Sequence, residues 1–472
     1  MKKLCALLLI LTCMMSLFAC PAPAPETGGT TTTTTTTAAS GNGGTSPTAP
    51  LTLRAESGFA FVGDTITLIA GGIEGMSVSF TAPDGSVSTP ETDGATYTAT
   101  AAAAGVHTFT VTDGTRTASC AVTVYAVGET AYPVSDENIR ILGRTEKNAD
   151  GAILLNNTAS GFEITFFGKS LSVDLCNAEG KIDTAIFALY IDDMGNPATD
   201  QIDLSLAGEA IGNTRRITLA SFDAPGLHTV RLQKLTQEAL AGAIFSAVYV
   251  EGGLLPSEPD EALRMMVFGD SITCGHSNMR GPGEDDTWSS AKENGMLTYA
   301  MRVAAMLNAD AHVFAKSGLG LYTDPWSATT LLKDIYGKVS PASGTDWDMT
   351  SWVPDAIVIN IGTNDICARP EAAVPYTKEA FIEAYMDFVR ELVSIWGEDK
   401  TFFLCSSMML TAVGPAVQEA ATRLMLEEGL SVYFVDLPLR SNLTVDGHPD
   451  DASHIAGADV LYDAISKRMG MN

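Results

Sequence analysis

Hydrophobic and polar positions alternate with a period of two over most of the first half of the chain, then change period after Pro256 and Pro259. Between Leu51 and Val127, Ile66-Leu68, Val78-Phe80 and Phe109-Val111 read as inward pairs of short strands. Asp84-Gly85, Asp93-Gly94 and Asp113-Gly114 are hairpin signals between them. From Gly128 to Ser257 the alternation continues through Phe162-Ile164-Phe166, Leu171-Val173-Leu175, Ile186-Ala188-Tyr190, Val230-Leu232 and Val248-Val250. Pro225-Gly226 is expected to turn into the strand that carries His228. Beyond Pro259, apolar runs near Met265, His312, Ala356, Thr401 and Val432 alternate with helical stretches. The helices are expected at Leu297 to Leu307, Lys378 to Trp396, Pro415 to Glu428 and about Ser453 to Met469. Strand and helix in alternation mean a parallel sheet covered on both faces.

Five segments follow. Residues 51–127 fit a small immunoglobulin-like β-sandwich without paired cysteines, with His107 a structural residue of one strand, and residues 128–258 fit a β jelly roll. Residues 259–472 form an α/β domain. Alone, the jelly roll reads as a carbohydrate-binding module. Residues 21–50 hold eight consecutive threonines, Thr30 to Thr37, among Pro, Gly, Ala and Ser, and are expected to be an extended linker. Residues 1–20 read as an export signal: Lys2 and Lys3, then an apolar run from Leu4 to Phe18. Leu17-Phe18-Ala19-Cys20 resembles the bacterial lipoprotein cleavage box, which makes Cys20 a lipidation site and anchors the protein at the cell surface. Phe18 replaces the small residue usual there, which keeps ordinary secretion as the alternative.

Composition narrows the partners. Against 28 basic side chains stand 56 acidic ones, a net charge of −28 that repels phosphate backbones and excludes nucleic acid. Membrane contact is expected through the lipid alone. Past the signal, Cys120, Cys176, Cys274, Cys367 and Cys405 are odd in number with no close pair, which supports neither a disulfide framework nor a cysteine zinc site.

Chemistry concentrates at predicted strand ends. Met265 to Phe268 runs into Gly269-Asp270-Ser271, which places Ser271 at the carboxyl edge of a sheet, as a nucleophile or as a helix N-cap. A base is needed, and of six histidines His107 and His228 fall in β domains and His312 in an apolar strand. His276 follows the serine too closely to turn back on it easily, but is placed to line the site. His448, in Val445-Asp446-Gly447-His448-Pro449, follows the last strand, and Asp446 is placed to orient its ring; a solvated turn is the other reading. His454 begins a helix, lining the site or capping. For an oxyanion, Asn364 after Val358 to Ile361 offers an amide, and Gly318 in Lys316-Ser317-Gly318-Leu319-Gly320 offers a backbone N–H.

These blocks resemble the SGNH (GDSL-like) hydrolase superfamily: Gly269-Asp270-Ser271-Ile272-Thr273, Ser317-Gly318, Gly362-Thr363-Asn364-Asp365 and Asp446-Gly447-His448-Pro449. The resemblance implies a flavodoxin-like α/β/α domain, Ser271 as nucleophile, His448 as base, and the Ser271 N–H, Gly318 N–H and Asn364 side chain as oxyanion hole. A jelly roll before the hydrolase, with Glu293-Asn294-Gly295, Gly318-Leu319-Gly320-Leu321-Tyr322 and Asp346-Trp347-Asp348 leading into Pro354-Asp355, is similar to carbohydrate esterase family two. That likeness covers roughly residues 130–472. The last block has Asp-x-His where the superfamily usually has Asp-x-x-His; some members of the esterase family lack the Asp and use a backbone carbonyl. The implied activity is removal of acetyl groups from polysaccharides or oligosaccharides such as acetylated xylan, without metal or organic cofactor. Tyr322, Trp326 and Trp288, in loops at the same edge, are candidates to stack on sugar rings or simply loop-packing aromatics. The competing readings are a carbohydrate-binding surface protein with an inactive hydrolase domain, and a short-chain, aryl or lipid esterase.

Overall fold

The computed structural model describes residues 31–32, 50–72, 77–93, 96–113, 116–193, 198–205, 214–256, 262–281, 284–285, 287–325, 330–368, 374–439, 444 and 446–471. The expected signal, Cys20 and Trp326 lie outside the described residues, as do the second members of the Asp93-Gly94 and Asp113-Gly114 turns. The chain divides into two compact units between Ala126 and Val127.

In the first unit, Thr52–Ala55, Thr65–Gly71, Thr96–Thr100 and Glu91–Asp93 form one sheet. Thr117–Tyr125, Gly105–Thr112, Ser77–Thr81 and Val87–Ser88 run in order through a second, which Phe59–Phe61 joins in parallel. Leu53, Leu68, Phe109, Val111 and Val122 share one core. Thr31 and Thr32 pair with Cys120 and Ser119, so this part of the expected linker is an edge of the second sheet. His107 is buried, its Nε2 2.7 Å from Ala103 O and its ring stacked on Phe80.

The second unit begins with a nine-stranded antiparallel arrangement built on three long strands, Gly161–Asn177, Arg215–Lys234 and Ala243–Leu255. The turn expected at Pro225-Gly226 is instead an irregular stretch inside a continuous strand, where pairing shifts from Gly168–Gly226 to Ser170–Ser221. The strand Ile186–Ile191 explains how this layer meets the next. Phe187 and Leu189 face the β core, while Ile186, Ala188 and Tyr190 enter the core of the α/β domain. Period two here feeds two buried faces.

Polar contacts reinforce the join. Arg144 is almost wholly buried against the α/β domain: Nη1 donates to Tyr336 O (2.6 Å) and Lys338 O (3.0 Å), and the guanidinium lies over the rings of Phe268 and Phe314. Burial, with no carboxylate partner among the described residues, pushes its pKa down to about 9. Asn157 donates to Val339 O, and Glu238 accepts from Ser340 Oγ and the Ala342 N–H.

The α/β domain has five parallel strands: β1 (Arg264–Gly269), β2 (Asp310–Ala315), β3 (Ala356–Asn360), β4 (Thr401–Cys405) and β5 (Val432–Val435). Their order is β2-β1-β3-β4-β5, the flavodoxin-like order, whose switch point lies between β1 and β3. Alternate residues of β1 divide between faces, Met265 and Val267 to one core, Met266 and Phe268 to the other. Helices α2 (Tyr299–Met306) and α7 (Asp451–Met469) cover the first face; α5 (Lys378–Trp396) and α6 (Gly414–Glu427) cover the second. Helix α5 starts where Thr377 Oγ1 accepts the Ala380 N–H and stops at Gly397, whose φ of +101° leaves the helical region. Short helices α1 (Ser271–Cys274) and α4 (Thr363–Ile366) follow β1 and β3 directly, and α3 (Leu332–Ile335) lies between β2 and β3 in the chain.

Candidate active site

Ser271 is the first residue of α1, held there by two local features. Gly269 lies so near Thr273 that a Cβ would fall 2.0 Å from its Oγ1, so the turn out of β1 requires glycine. Asp270, rather than the serine, caps the helix: its Oδ1 accepts the Ile272 N–H at 3.0 Å. The serine hydroxyl is thereby left for another partner, and His448 Nε2 stands 2.9 Å from Ser271 Oγ.

His448 reaches the serine from a tight turn after β5. Thr444 Oγ1 accepts the His448 N–H (3.0 Å) and donates to Asp446 Oδ1 (2.6 Å), and Gly447 takes a φ of +82°. Asp446 Oδ1 lies 3.2 Å from His448 Nδ1, the distance of an ion pair, without the alignment of a hydrogen bond. The other carboxylate oxygen accepts from Ser277 Oγ (2.5 Å), Arg280 Nη1 (3.0 Å) and His276 Nε2 (3.1 Å). Burial works to raise this carboxyl's pKa, but hydrogen bonds from His276, Ser277 and Thr444, with the adjacent His448 ring, outweigh it and hold it well below the usual range. The solvated-turn reading does not fit a carboxylate with that many donors.

The other strand ends converge on the same edge. Gly318 adopts a φ of +80° in the turn after β2. Neither its N–H nor that of Ser271 donates to a protein acceptor among the described residues. Asn364, in α4, donates to Leu319 O (3.0 Å) and more distantly to Asp270 Oδ2 (3.4 Å). Asp365 gathers the amides of Leu321, Tyr322 and Thr323, with Leu321 at 2.8 Å, and so ties the Gly318 loop to α4. Burial pushes its carboxyl up to about 6 against the pull of those amides.

Asp270 is more strongly affected. Burial pushes it up to about 7, against the Ile272 N–H. The folded chain then holds a proton that the unfolded chain releases near 3.8, so this stabilisation is complete at low pH and is lost as pH rises through about 7. The full effect is at most about 4 kcal/mol. The melting temperature of Asp270→Asn, relative to wild type, should rise between pH 5 and 8; Asp365 titrates in the same sense, so the variant keeps a shallower slope. A difference that stays constant across that range would reject the assignment.

Two residues expected at the site, Tyr322 against the sugar and His276 in its lining, are placed otherwise. Tyr322 is buried among core residues such as Phe381, and its hydroxyl accepts the Thr377 N–H at 2.8 Å, so it is part of the packing. His276 does turn back, because Gly275 (φ +81°) and Ser277 (φ +57°) reverse the chain after α1. Both its ring nitrogens point at protein groups, which places it in the hydrogen-bonded frame rather than against a substrate. Trp288 stands beside it, ring centroids 5.2 Å apart. His454 is buried and accepts the Tyr299 N–H, a structural role at the start of α2; burial pushes its pKa down to about 3. His312 is stacked on Trp352, and His228 pairs with Asp192 in the β domain.

His276, Asp446 and His448 are the one group of metal-type ligands among the described residues. Arg280 on the same carboxylate already supplies the positive charge, and His448 Nε2 is turned to the serine, so the set does not fit a cation. Gln237, Ser277, Arg280, Glu293 and Thr444 belong to the site without having been expected there. The Asp446 donors Ser277 and Arg280 follow His276 within four residues, the one local signal in the sequence.

A strand-order switch point, a serine and an imidazole in contact, and a loop glycine beside them have the arrangement of a serine hydrolase site of the GDSL-like class. The family model described as GDSL-like lipase/acylhydrolase matches residues 265–452, and the carbohydrate esterase 2 N-terminal model matches residues 141–259. The two matches are consecutive, and together they make residues 141–259 and 265–452 similar to carbohydrate esterase family two of the SGNH hydrolases. It is 32% identical over 267 residues to the cellulase/esterase CelE of Acetivibrio thermocellus, covering 54% of this chain and 32% of that protein. It thus spans about a third of that relative's length. An acetylxylan esterase / glucomannan deacetylase of Cellvibrio japonicus is 26% identical over 269 residues, covering 55% of this chain and 68% of that one. The solved family two carbohydrate esterase from Clostridium thermocellum in complex with cellohexaose superposes with a TM-score of 0.61 at 27% identity, covering 70% of this chain and 99% of that one.

Proposed function

We propose that the protein is a carbohydrate O-acetyl esterase. The observation that carries this reading is the 2.9 Å contact between Ser271 Oγ and His448 Nε2 at the carboxyl edge of the sheet. His448 takes the Ser271 proton as the hydroxyl attacks the acetyl carbonyl, and returns it to the departing sugar oxygen. The Ser271 and Gly318 amides and the Asn364 side chain hold the oxyanion; Asn364 exchanges its long contact with Asp270 for the substrate oxygen. Water then hydrolyses the acetyl-serine. Asp446 stabilises the imidazolium by charge. Trp288 and Trp326 are the aromatic candidates for the sugar side. The Cellvibrio relative's name, acetylxylan esterase / glucomannan deacetylase, supports acetylated xylan or glucomannan as the substrate class. We read residues 1–20 as a lipoprotein signal, Cys20 as the anchor at the bacterial surface, residues 21–50 on either side of Thr31–Thr32 as linker, residues 51–127 as immunoglobulin-like and 128–258 as a jelly roll.

The cellohexaose complex of the clostridial relative favours a second reading, in which the site chiefly binds glucan chains. Incubation with acetylated xylan, acetylated glucomannan and acetylated peptidoglycan, scored by acetic acid freed, separates the two. We expect release from at least one of the plant-type polymers, and hydrolysis of p-nitrophenyl acetate at least ~100-fold faster than the octanoate. Glucan binding with no release would support the second reading; equal rates on acetate and octanoate would point to a general esterase.

A further inference from the structure

The β domain sends one side chain into the site. Gln237 sits on a loop beyond the strand Arg215–Lys234, fully buried, and the loop is tied at both ends by Lys234, whose ammonium donates to Thr236 O and Ala241 O. The Gln237 backbone N–H donates to Glu293 Oε1 (2.6 Å) and its side-chain Nε2 to Glu293 Oε2 (2.8 Å). A carboxylate accepts and does not donate, so this pair fixes which end of the amide is nitrogen. The other end agrees: Gln237 Oε1 accepts the Ser317 N–H at 3.3 Å. The second hydrogen on Nε2 faces His276 Nδ1 at 3.4 Å, where Ser317 Oγ also lies at 3.5 Å.

His276 is read the same way from its far side. Its Nε2 lies 3.1 Å from Asp446 Oδ2, an acceptor, so the ring proton belongs on Nε2 and a lone pair on Nδ1. The Gln237 amide therefore donates both ways, to Glu293 and to His276, and His276 donates on to Asp446. The His276 and His448 ring centroids are 4.4 Å apart, and Ser317 is the residue before Gly318.

We infer that Gln237, oriented by Glu293, is a positioning residue of the esterase site: it holds His276 as the Nε2–H tautomer beside His448 and fixes the turn that carries Gly318. The inference rests on the esterase reading for its effect on rate. With its Nδ1 lone pair engaged, His276 does not compete for the Ser271 proton, which leaves His448 as the one imidazole that exchanges it. The β domain is then a component of the active site rather than an appended binding module.

The test uses the full chain with 15N-labelled histidine and two shape-preserving variants, Gln237→Met and Glu293→Gln. Imidazole 15N shifts, assigned against His276→Asn, should show His276 protonated at Nε2 in the wild type and a mixture of tautomers in either variant. On p-nitrophenyl acetate, kcat should fall ~10- to 100-fold with KM within about twofold. A role confined to stability would lower the melting temperature and leave both the tautomer and kcat in place, which overturns the inference. Wild-type His276 protonated at Nδ1 overturns it without any variant. The ring shifts need no substrate, so they decide the matter even if the wild type frees no acetate, a result that would fall on the esterase reading instead.

Discussion

Ser271→Ala should abolish acetate release, lowering kcat by roughly 10^4- to 10^6-fold, while the chain melts within a degree or two of wild type. The two halves of this expectation have separate grounds. The helix that begins at Ser271 is capped by Asp270, so removing the hydroxyl takes no hydrogen bond from the fold other than the one to His448. That bond is worth about 1 kcal/mol to stability. To the reaction it is the nucleophile itself. His448→Ala should cost nearly as much, and the double variant little more than either, because residues that act as a unit do not add. Acetic acid freed from acetylated xylan, with circular dichroism melts beside it, measures both halves. Turnover near the wild-type rate in a folded Ser271→Ala chain would sink the scheme.

The elements of the α/β domain were legible because their signals are local. Lys378 to Trp396 is bounded by a capping threonine and a glycine, and α5 spans the same residues. The five apolar runs are too short for helices and lie on buried parallel strands. Ser271, His448, Gly318 and Asn364 could be placed together because each follows a strand, and parallel strands deliver their ends to one edge. What was not legible depends on distance along the chain. Gln237 meets Glu293 and Ser317 across 56 and 80 residues, from a domain that reads by itself as a separate module. Arg144 looks like any surface arginine until the α/β domain closes over it. Tyr322 failed for the opposite reason: an aromatic after a glycine-rich turn suits a binding loop, but the Asp365 carboxylate draws that loop inward. Pro225-Gly226 read as a turn because two adjacent breakers usually are one; a long strand with a register shift absorbed them.

Asp446→Asn should reduce kcat by roughly 10^2- to 10^3-fold, less than the loss of Ser271 or His448. Two opposing features set that size. The Asp446 oxygen nearest His448 Nδ1 is 3.2 Å away and out of line, so the carboxylate acts on the imidazolium through charge more than through a directed bond. Taken alone, this predicts a modest loss. Against it, the same carboxylate organises the loop: Thr444, Ser277, Arg280 and His276 all donate to it. An amide in its place turns an NH2 group toward donors on one side or the other, and Arg280, with its side chain almost fully buried, loses a carboxylate partner at 3.0 Å. The rate should therefore fall together with stability, by several kcal/mol in denaturant melts. Arg280→Met in the Asp446→Asn background should restore part of the stability and little of the rate, because it removes a buried cation that has lost one carboxylate partner without returning charge to the His448 ring. Equal losses of kcat for Asp446→Asn and His448→Ala would make the carboxylate a full partner of the base. A loss under about fivefold would leave the serine and the imidazole to work as a pair.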